Sequence, residues 1–215
     1  MKKRTDEIFQ QMLEKNPDLQ AQGENIRKAY EIIKESYQNG SKVLICGNGG
    51  SAADSEHIVG ELMKGFMLRR PIGYETRDKL QRLFPDDGQY LADSLQGALP
   101  ALSLVSHTAL SSAFINDVQA DMVFAQQVYG YGKQGDVLLG ISTSGNSANV
   151  INAVKIAKSL EMKTIGLTGE TCGKMKMLCD VTICAPDTET YRIQEYHLPI
   201  YHALCAMIEE DFFGA

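Results

Sequence analysis

Two pairs of side chains in this sequence are of the types that carry acid–base chemistry or bind metals. His57 and Glu61 stand four residues apart in the segment ICGNGGSAADSEHIVGEL, so on a helix both project from one face. Gln194 and His202 lie near the carboxyl end, within roughly 80° of each other around a helix axis. An isolated histidine–carboxylate pair is more often a surface hydrogen bond than a metal site, and spacing alone leaves both interpretations open. His197 lies nearer the middle of the apolar stripe of the last helix, and we interpret it as a hydrogen-bonded core residue.

The same segment begins with a glycine-rich turn that follows a short apolar run and precedes a helical pattern. Gly47, Gly49 and Ala52 match the G-x-G-x-x-[GA] pattern of dinucleotide-binding turns, in which glycines let the backbone approach an anion at a helix N-terminus. Such sites place an acidic residue about 20 residues later, but this chain has Arg69 and Arg70 there. An NADP site with these arginines on the 2′-phosphate is one alternative, and the lack of G-x-x-x-x-G-K-[ST] excludes a P-loop.

A second turn, STSGNS at 142–147, also follows an apolar run and opens a helical pattern. Its four hydroxyl groups and its backbone N–H groups form a neutral nest of the kind that binds a phosphomonoester without lysine or arginine. A serine-rich helix cap without a ligand is the alternative for either turn alone. Two such turns at strand ends of one sheet favour a phosphate site over a nucleotide site.

Short apolar segments alternate with amphipathic helical patterns, which is typical of a parallel sheet covered on both faces. The predicted strands are 42–46, 101–105, 136–141, 163–167 and 181–185, and the later helices cover about 148–160 and 191–212. We therefore predict an α/β fold with a doubly wound, flavodoxin-like sheet of five parallel strands, in one domain over residues 1–215. Ligands of such folds bind beyond the carboxyl ends of the strands, where both turns lie.

Two segments fall outside this alternation. Residues 1–39 are predicted to form two helices that break around Asn16-Pro17-Asp18, the second over about 24–38. These helices either form an interface with a neighbouring subunit or pack on their own domain. Residues 69–98 separate the first two strands by more than one crossover helix requires and contain two short helical patterns. We treat them as an insertion that is either a lid over the site or a surface excursion.

The composition limits the classes of function. The chain has 215 residues, 44% of them hydrophobic, and a formal charge of -6, which argues against a general nucleic-acid binder with a basic face. No segment reaches the ~18 apolar residues needed to span a membrane. The basic N-terminus lacks the apolar region of a signal peptide. Five cysteines without a C-x-x-C pair, mostly in apolar surroundings, favour reduced thiols and a cytoplasmic location.

Three motifs give the chain a family resemblance. NGGS after the first strand, GISTSGNSANV after the third and RIQEYH at the start of the last helix resemble the SIS (sugar isomerase) family of phosphosugar-binding proteins. Within that family the chain is most similar to the sedoheptulose 7-phosphate isomerases, also called phosphoheptose isomerases. The resemblance implies a SIS domain, a homotetramer, and conversion of sedoheptulose 7-phosphate to glycero-manno-heptose 7-phosphate in heptose or lipopolysaccharide biosynthesis.

The resemblance also implies roles for particular residues. Zinc or another divalent metal, one per site, is expected on His57, Glu61, Gln194 and His202. Glu61 is then the base and His202 the acid of an aldose–ketose isomerisation through an enediol, with the metal polarising the carbonyl. The residues expected to bind the sugar phosphate are Asn48, Gly49, Gly50, Ser51, Asp117, Ser142, Thr143, Ser144, Ser147 and Gln194.

The chain departs from the family pattern at two points. Tyr191 stands where family members often have aspartate, and ELMKGF replaces a run such as ELTGRY, with Lys64 as a cation one position away from the arginine. Two non-catalytic functions are the alternatives: a regulator that binds the replication initiator protein, and a phosphosugar sensor. A sensor needs the two turns but does not need Glu61 and His202, and such regulators typically lack the metal-binding and catalytic residues. The presence of these residues in the chain therefore favours the enzyme.

Overall fold

The strands of the computed structural model, which describes residues 2–214, all run parallel. They are β1 (Val43–Gly47), β2 (Ala101–Ser103), β3 (Val137–Ile141), β4 (Lys163–Thr168) and β5 (Val181–Cys184). Their order in the sheet is β2-β1-β3-β4-β5, so the predicted doubly wound, flavodoxin-like sheet is confirmed. Every residue of β1 and β3 is buried, because helices cover both faces of the sheet.

The helices predicted from the sequence lie close to their expected positions, whereas those at 108–117, 123–131 and 175–178 were not predicted. In chain order they are α1 (Lys3–Lys15), α2 (Gly23–Gln38), α3 (Gly50–Met63), α4 (Tyr74–Leu83), α5 (Gly88–Ser94), α6 (Thr108–Asp117), α7 (Val123–Tyr131), α8 (Ala148–Ser159), α9 (Met175–Leu178) and α10 (Thr190–Phe213). A 3₁₀ turn over Pro17–Gln22 separates α1 from α2 at the predicted break, since proline cannot continue a preceding helix. Between residues 2 and 214, no helix has the length and apolar character of a membrane span.

The N-terminal helices pack on their own domain, which is one of the two predicted arrangements. Asp211 of α10 accepts hydrogen bonds from the Thr5 hydroxyl at 2.7 Å and from the Tyr30 hydroxyl, and Lys34 Nζ lies 2.8 Å from the same carboxylate. Thr5 and Tyr30 are fully buried in this contact. The polar cluster therefore attaches α1 and α2 to the last helix.

The insertion at 69–98 leaves the sheet between α3 and β2. Its two ends meet, because Pro71 and Gln96 form an antiparallel bridge and the Gly97 N–H donates to the Arg70 carbonyl at 2.6 Å. Helix α4 buries no residue. The segment beyond this base has the geometry of a surface excursion.

The cysteines differ from the prediction. Cys172, in the loop after β4, forms a disulfide with Cys184 at the end of β5, with Cα atoms 5.4 Å apart. The expectation of reduced thiols is wrong for this pair. The sequence did not predict the disulfide because a spacing of 12 residues is not a recognisable pairing signal. Cys46, Cys179 and Cys205 are free.

Candidate functional site

Both predicted turns lie at the carboxyl edge of the sheet, where the strand order reverses. The glycine turn, residues 48–51, follows β1, and the serine turn, residues 142–147, follows the neighbouring strand β3. The side chains of Asn48 and Asn149 exchange two hydrogen bonds of 2.9 Å and so connect the turns. Sequence analysis missed Asn149, although it stands in the first turn of α8. In doubly wound sheets, ligands bind at this switch point.

The glycine turn has little room for side chains. Gly49 has a φ of 57°, and a Cβ on Gly47 would lie 2.6 Å from the carbonyl oxygen of Ser51. A Cβ on Gly50 would lie 2.5 Å from Nε2 of Gln194. Helix α10 therefore reaches the glycine turn through the Gln194 side chain.

Hydroxyl groups line the serine turn. Ser142 Oγ lies 3.0 Å from Ser147 Oγ, and Ser144 Oγ accepts a hydrogen bond from the Asn146 N–H at 3.1 Å. The Thr143 carbonyl accepts a hydrogen bond from the chain after β4. Since α8 begins directly after the turn, its positive end faces the same space. The arrangement suits an anion held by hydroxyl and N–H groups.

Glu61, near the end of α3, lies between two basic side chains. Its Oε1 is 3.2 Å from Nε2 of His57, and its Oε2 is 3.3 Å from Nζ of Lys64. The Glu61 side chain is only 12% exposed, against 43% for His57. The carboxylate is thus held against the protein while the imidazole reaches solvent.

Helix α10 brings His202 next to this pair. The ring centroids of His57 and His202 are 5.0 Å apart in an edge-to-face arrangement. Nε2 of His202 is buried and has no hydrogen-bond partner among residues 2–214. Burial, and next the neighbouring His57, lower the pKa of His202, while Glu61 opposes the shift. The neutral form of His202 is therefore favoured at pH 7.

Two residues that sequence analysis missed orient His57. The Tyr201 hydroxyl lies 3.1 Å from Nδ1 of His57 and donates to Oδ1 of Asp54 at 3.3 Å. Burial raises the pKa of the Asp54 carboxyl, although the Tyr201 hydrogen bond opposes the shift. Asp54 stands three residues before His57 on α3, a spacing that indicates one helix face. Nothing in the sequence singled out Tyr201.

Two predicted site residues lie apart from the histidine pair. Gln194 contacts Gly50 and is roughly 12 Å along α10 from His202. Asp117 is exposed at the end of α6, where it accepts a hydrogen bond from the Asn116 side chain at 2.8 Å. In the described part of the chain, no hydrogen bond joins Asp117 to either turn.

Two residues with ambiguous sequence contexts are buried. His197 is fully buried with Nε2 3.1 Å from the Thr168 carbonyl, and burial lowers its pKa to about 4. The prediction of a hydrogen-bonded core histidine is confirmed. Arg70 is also buried and pairs with Glu209 at 2.7 Å. Because its side chain is 0% exposed, a 2′-phosphate cannot reach the guanidinium, and that role for Arg70 in an NADP site is wrong.

Comparison with known proteins assigns the family. The sequence pattern of the SIS domain matches residues 8–77 and 81–169. The chain belongs to the SIS domain family.

Several relatives of this SIS domain are named phosphoheptose isomerase. The phosphoheptose isomerase of Aliarcobacter butzleri is 41% identical over 188 residues, which are 87% of this chain and 86% of that protein. A phosphoheptose isomerase structure from Neisseria gonorrhoeae has a TM-score of 0.68 at 38% identity and covers 86% of both chains. Another from Francisella tularensis has a TM-score of 0.75 at 30% identity and covers 96% of this chain and 97% of that one.

The four side chains predicted to bind zinc have suitable donor atoms. Their positions, however, match a zinc site only in part. Two imidazoles and a carboxylate are common zinc ligands, and His202 offers a buried nitrogen without a partner in the described chain. Within residues 2–214, however, no three His, Cys, Asp or Glu side chains are grouped as metal ligands. Gln194 lies at the glycine turn rather than beside His57 and Glu61. The four-ligand metal site stays a prediction.

Proposed function

We propose that this SIS domain is a phosphoheptose isomerase that interconverts sedoheptulose 7-phosphate and glycero-manno-heptose 7-phosphate through an enediol. The observation that carries the proposal is 41% identity to a phosphoheptose isomerase over 87% of the chain. The chain is accordingly an aldose–ketose isomerase that acts on a phosphorylated sugar. Its place is in heptose metabolism.

The site geometry suits a sugar whose phosphate and carbonyl lie at opposite ends. Gly50, at the glycine turn, and His57 are seven residues apart on α3, which is about 10 Å along the helix axis. A phosphate held between the two turns therefore leaves the other end of an extended sugar near His57 and Glu61. A seven-carbon ketose phosphorylated on its last carbon has this arrangement.

Glu61 and His202 are the proposed proton-transfer groups. Glu61 takes the proton from the carbon next to the carbonyl and returns it to the neighbouring carbon, and His202 moves protons between the two oxygens. The two hydrogen-bonded contacts of the Glu61 carboxylate and its low exposure support this role, because they hold it in one orientation. The buried Nε2 of His202, without a partner in the described chain, supports the second role.

We also propose zinc or another divalent metal as cofactor, one per site, with His57, Glu61, Gln194 and His202 as donors. Such a metal polarises the carbonyl of a bound sugar when it is present. The contact between His57 and Glu61 and the 5.0 Å approach of the His202 ring to His57 support the proposal, whereas the assignment of Gln194 rests on the resemblance alone. A homotetramer and a cytoplasmic location are proposed on the same resemblance.

Proton NMR in deuterated water tests the activity directly. A panel of ketose phosphates is incubated with the protein, with and without a chelator. We expect solvent deuterium to enter sedoheptulose 7-phosphate at the carbon next to the carbonyl. If the chelator stops this incorporation, the result supports a metal cofactor. Tight binding of sugar phosphates without exchange contradicts the isomerase and favours a phosphosugar sensor.

A further inference from the structure

A buried ion pair joins the end of α3 to α10 beside the proposed acid–base residues. Nε of Arg70 lies 2.7 Å from Oε1 of Glu209, and the two side chains are 0% and 1% exposed. The other guanidinium nitrogens of Arg70 donate to the carbonyls of Leu62 at 2.7 Å and Glu61 at 3.0 Å. Arg70 therefore binds the last carbonyls of α3, which have no partners within the helix.

Glu209 holds the segment that follows α3. Its two carboxylate oxygens accept backbone hydrogen bonds from Phe66 at 2.8 Å, Met67 at 2.7 Å and Leu68 at 3.1 Å. The ring of Phe66 lies against His202, with centroids 5.5 Å apart. The ion pair thus contacts the backbone of one proposed proton-transfer residue and supports the packing of the other.

Stability by itself gives little reason for such a pair. Taking two charges out of water is expensive, and a buried ion pair often stabilises a fold no better than apolar side chains of similar volume. A cation at a helix C-terminus does, however, fix the last turn by binding its carbonyls and by opposing the helix dipole. Glu61 is two residues from the end of α3, so the direction of its carboxylate depends on that last turn.

We propose that Arg70 and Glu209 are positioning residues that fix the Glu61 carboxylate relative to His202. The inference rests on the proposed function, in which these two groups transfer protons. It also gives the base of the insertion a role, because Arg70 is held there by the Gly97 N–H at 2.6 Å and by the Phe213 ring 4.8 Å from its guanidinium. The base of the insertion thus contributes the arginine whose side chain binds the last carbonyls of α3.

The variant Glu209→Gln tests the proposal. An amide has one acceptor oxygen, so its NH2 group faces either the Arg70 guanidinium or backbone N–H donors that Glu209 now satisfies. We expect kcat to fall by about 10- to 100-fold, since small misplacements of reacting groups have effects of this size. KM should change by less than about threefold, because the phosphate-binding turns are untouched.

Asp136→Asn is the matched control. Asp136 is a buried carboxylate that pairs with Lys42 Nζ at 2.5 Å and accepts the backbone N–H groups of Lys42 at 3.0 Å and Lys133 at 2.9 Å. It lies at the amino edge of the sheet, away from both turns. We expect both variants to lower the melting temperature and only Glu209→Gln to lower kcat. Equal kcat values for the two variants, or a kcat of Glu209→Gln equal to that of the wild type, would overturn the proposal.

Arg70→Lys covers the case in which Glu209→Gln does not fold. A lysine reaches Glu209 but cannot bind both carbonyls of α3 in the geometry of a guanidinium, so the same selective loss of kcat is expected. Crystal structures of wild type and variant separate this inference from the proposed function. A wild type without isomerase activity refutes the function. In that case the position of the Glu61 carboxylate decides: a shift of more than about 0.5 Å relative to His202 supports the positioning role, and an unchanged position overturns it.

Discussion

The two turns at the carboxyl edge of the sheet occupy equivalent places in the fold and have different neighbours. At the glycine turn, a Cβ on Gly50 would meet the end of the Gln194 side chain. At the serine turn, a Cβ on Gly145 would clash with the carbonyl oxygen of Cys172 and lie 2.9 Å from the Gly173 nitrogen. The end of a side chain can move, whereas packed backbone cannot do so without wider rearrangement. A methyl group at Gly145 therefore meets packed backbone, whereas one at Gly50 meets a side chain of α10.

The helices that follow the turns differ in the same way. Helix α3 carries His57 and Glu61 next to α10, whereas α8 packs against α7 and ends in the exposed Ser159. Glu61 and Ser159 are each the twelfth residue of their helix. One strand–turn–helix unit thus occurs twice, and the copy that contacts α10 is the one that carries the proposed acid–base residues.

The largest expected effect is a loss of kcat when the twelfth residue of α3 is replaced, but not when the twelfth residue of α8 is replaced. Glu61→Gln should lower kcat by about 10²- to 10⁴-fold, because a group that transfers the proton is lost. The Kd for the sugar phosphate, measured by calorimetry, should stay unchanged. Ser159→Ala, at the equivalent position of α8, should retain full activity. Turnover that persists in Glu61→Gln would remove Glu61 from the mechanism.

The next-largest expected effect is a difference between the two turns in how much a Gly→Ala substitution lowers the free energy of unfolding. Gly145→Ala should lower the free energy of unfolding by about 2–4 kcal/mol, since its φ of 64° strains any other residue and the new methyl group meets backbone. Gly50→Ala should lower it by less than about 1.5 kcal/mol, because Gln194 can swing away. Gly130→Ala, in open space on α7, should raise it by about 0.5–1 kcal/mol. Urea denaturation measures all three, and equal losses at Gly50 and Gly145 would contradict the contrast.

A smaller effect concerns phosphate binding at the serine turn. Ser142→Ala removes a buried hydroxyl, and a hydrogen bond to a charged group contributes about 1.5–3 kcal/mol. KM should therefore rise about 10- to 100-fold while kcat changes little. Michaelis kinetics with the sugar phosphate provide the measurement. A fall in kcat at unchanged KM would show that this turn takes part in the chemical step.

The smallest expected effect is a pH dependence of stability that comes from His197, on the face of α10 that contacts β4. Burial lowers the pKa of His197 from 6.5 to about 4 in the folded state. Between these values the unfolded chain binds a proton that the folded chain does not, so stability falls as the pH falls. The slope from this residue is about 1.4 kcal/mol per pH unit. Urea denaturation of wild type and His197→Gln across this range isolates it, and identical slopes would contradict the assignment.

Local patterns were sufficient to predict most of the fold. The strands and helices follow from apolar runs and helical periodicity, which depend on neighbouring residues. The contact of His57 with Glu61 likewise follows from a spacing of four residues on a helix. The approach of His202 to His57 depended on the family resemblance, because 145 residues separate the two positions. Local periodicity does not encode such a contact.

The sequence by itself determined the doubly wound sheet, the positions of the two turns after β1 and β3, and the family. Only the tertiary structure showed that Tyr201 joins His57 to Asp54, that Arg70 and Glu209 hold the end of α3, and that Gln194 lies at the glycine turn. The physical reason is the range of the interactions. Turns and helix faces depend on residues a few positions apart, whereas these contacts exist only because the sheet and its helices pack α3 against α10.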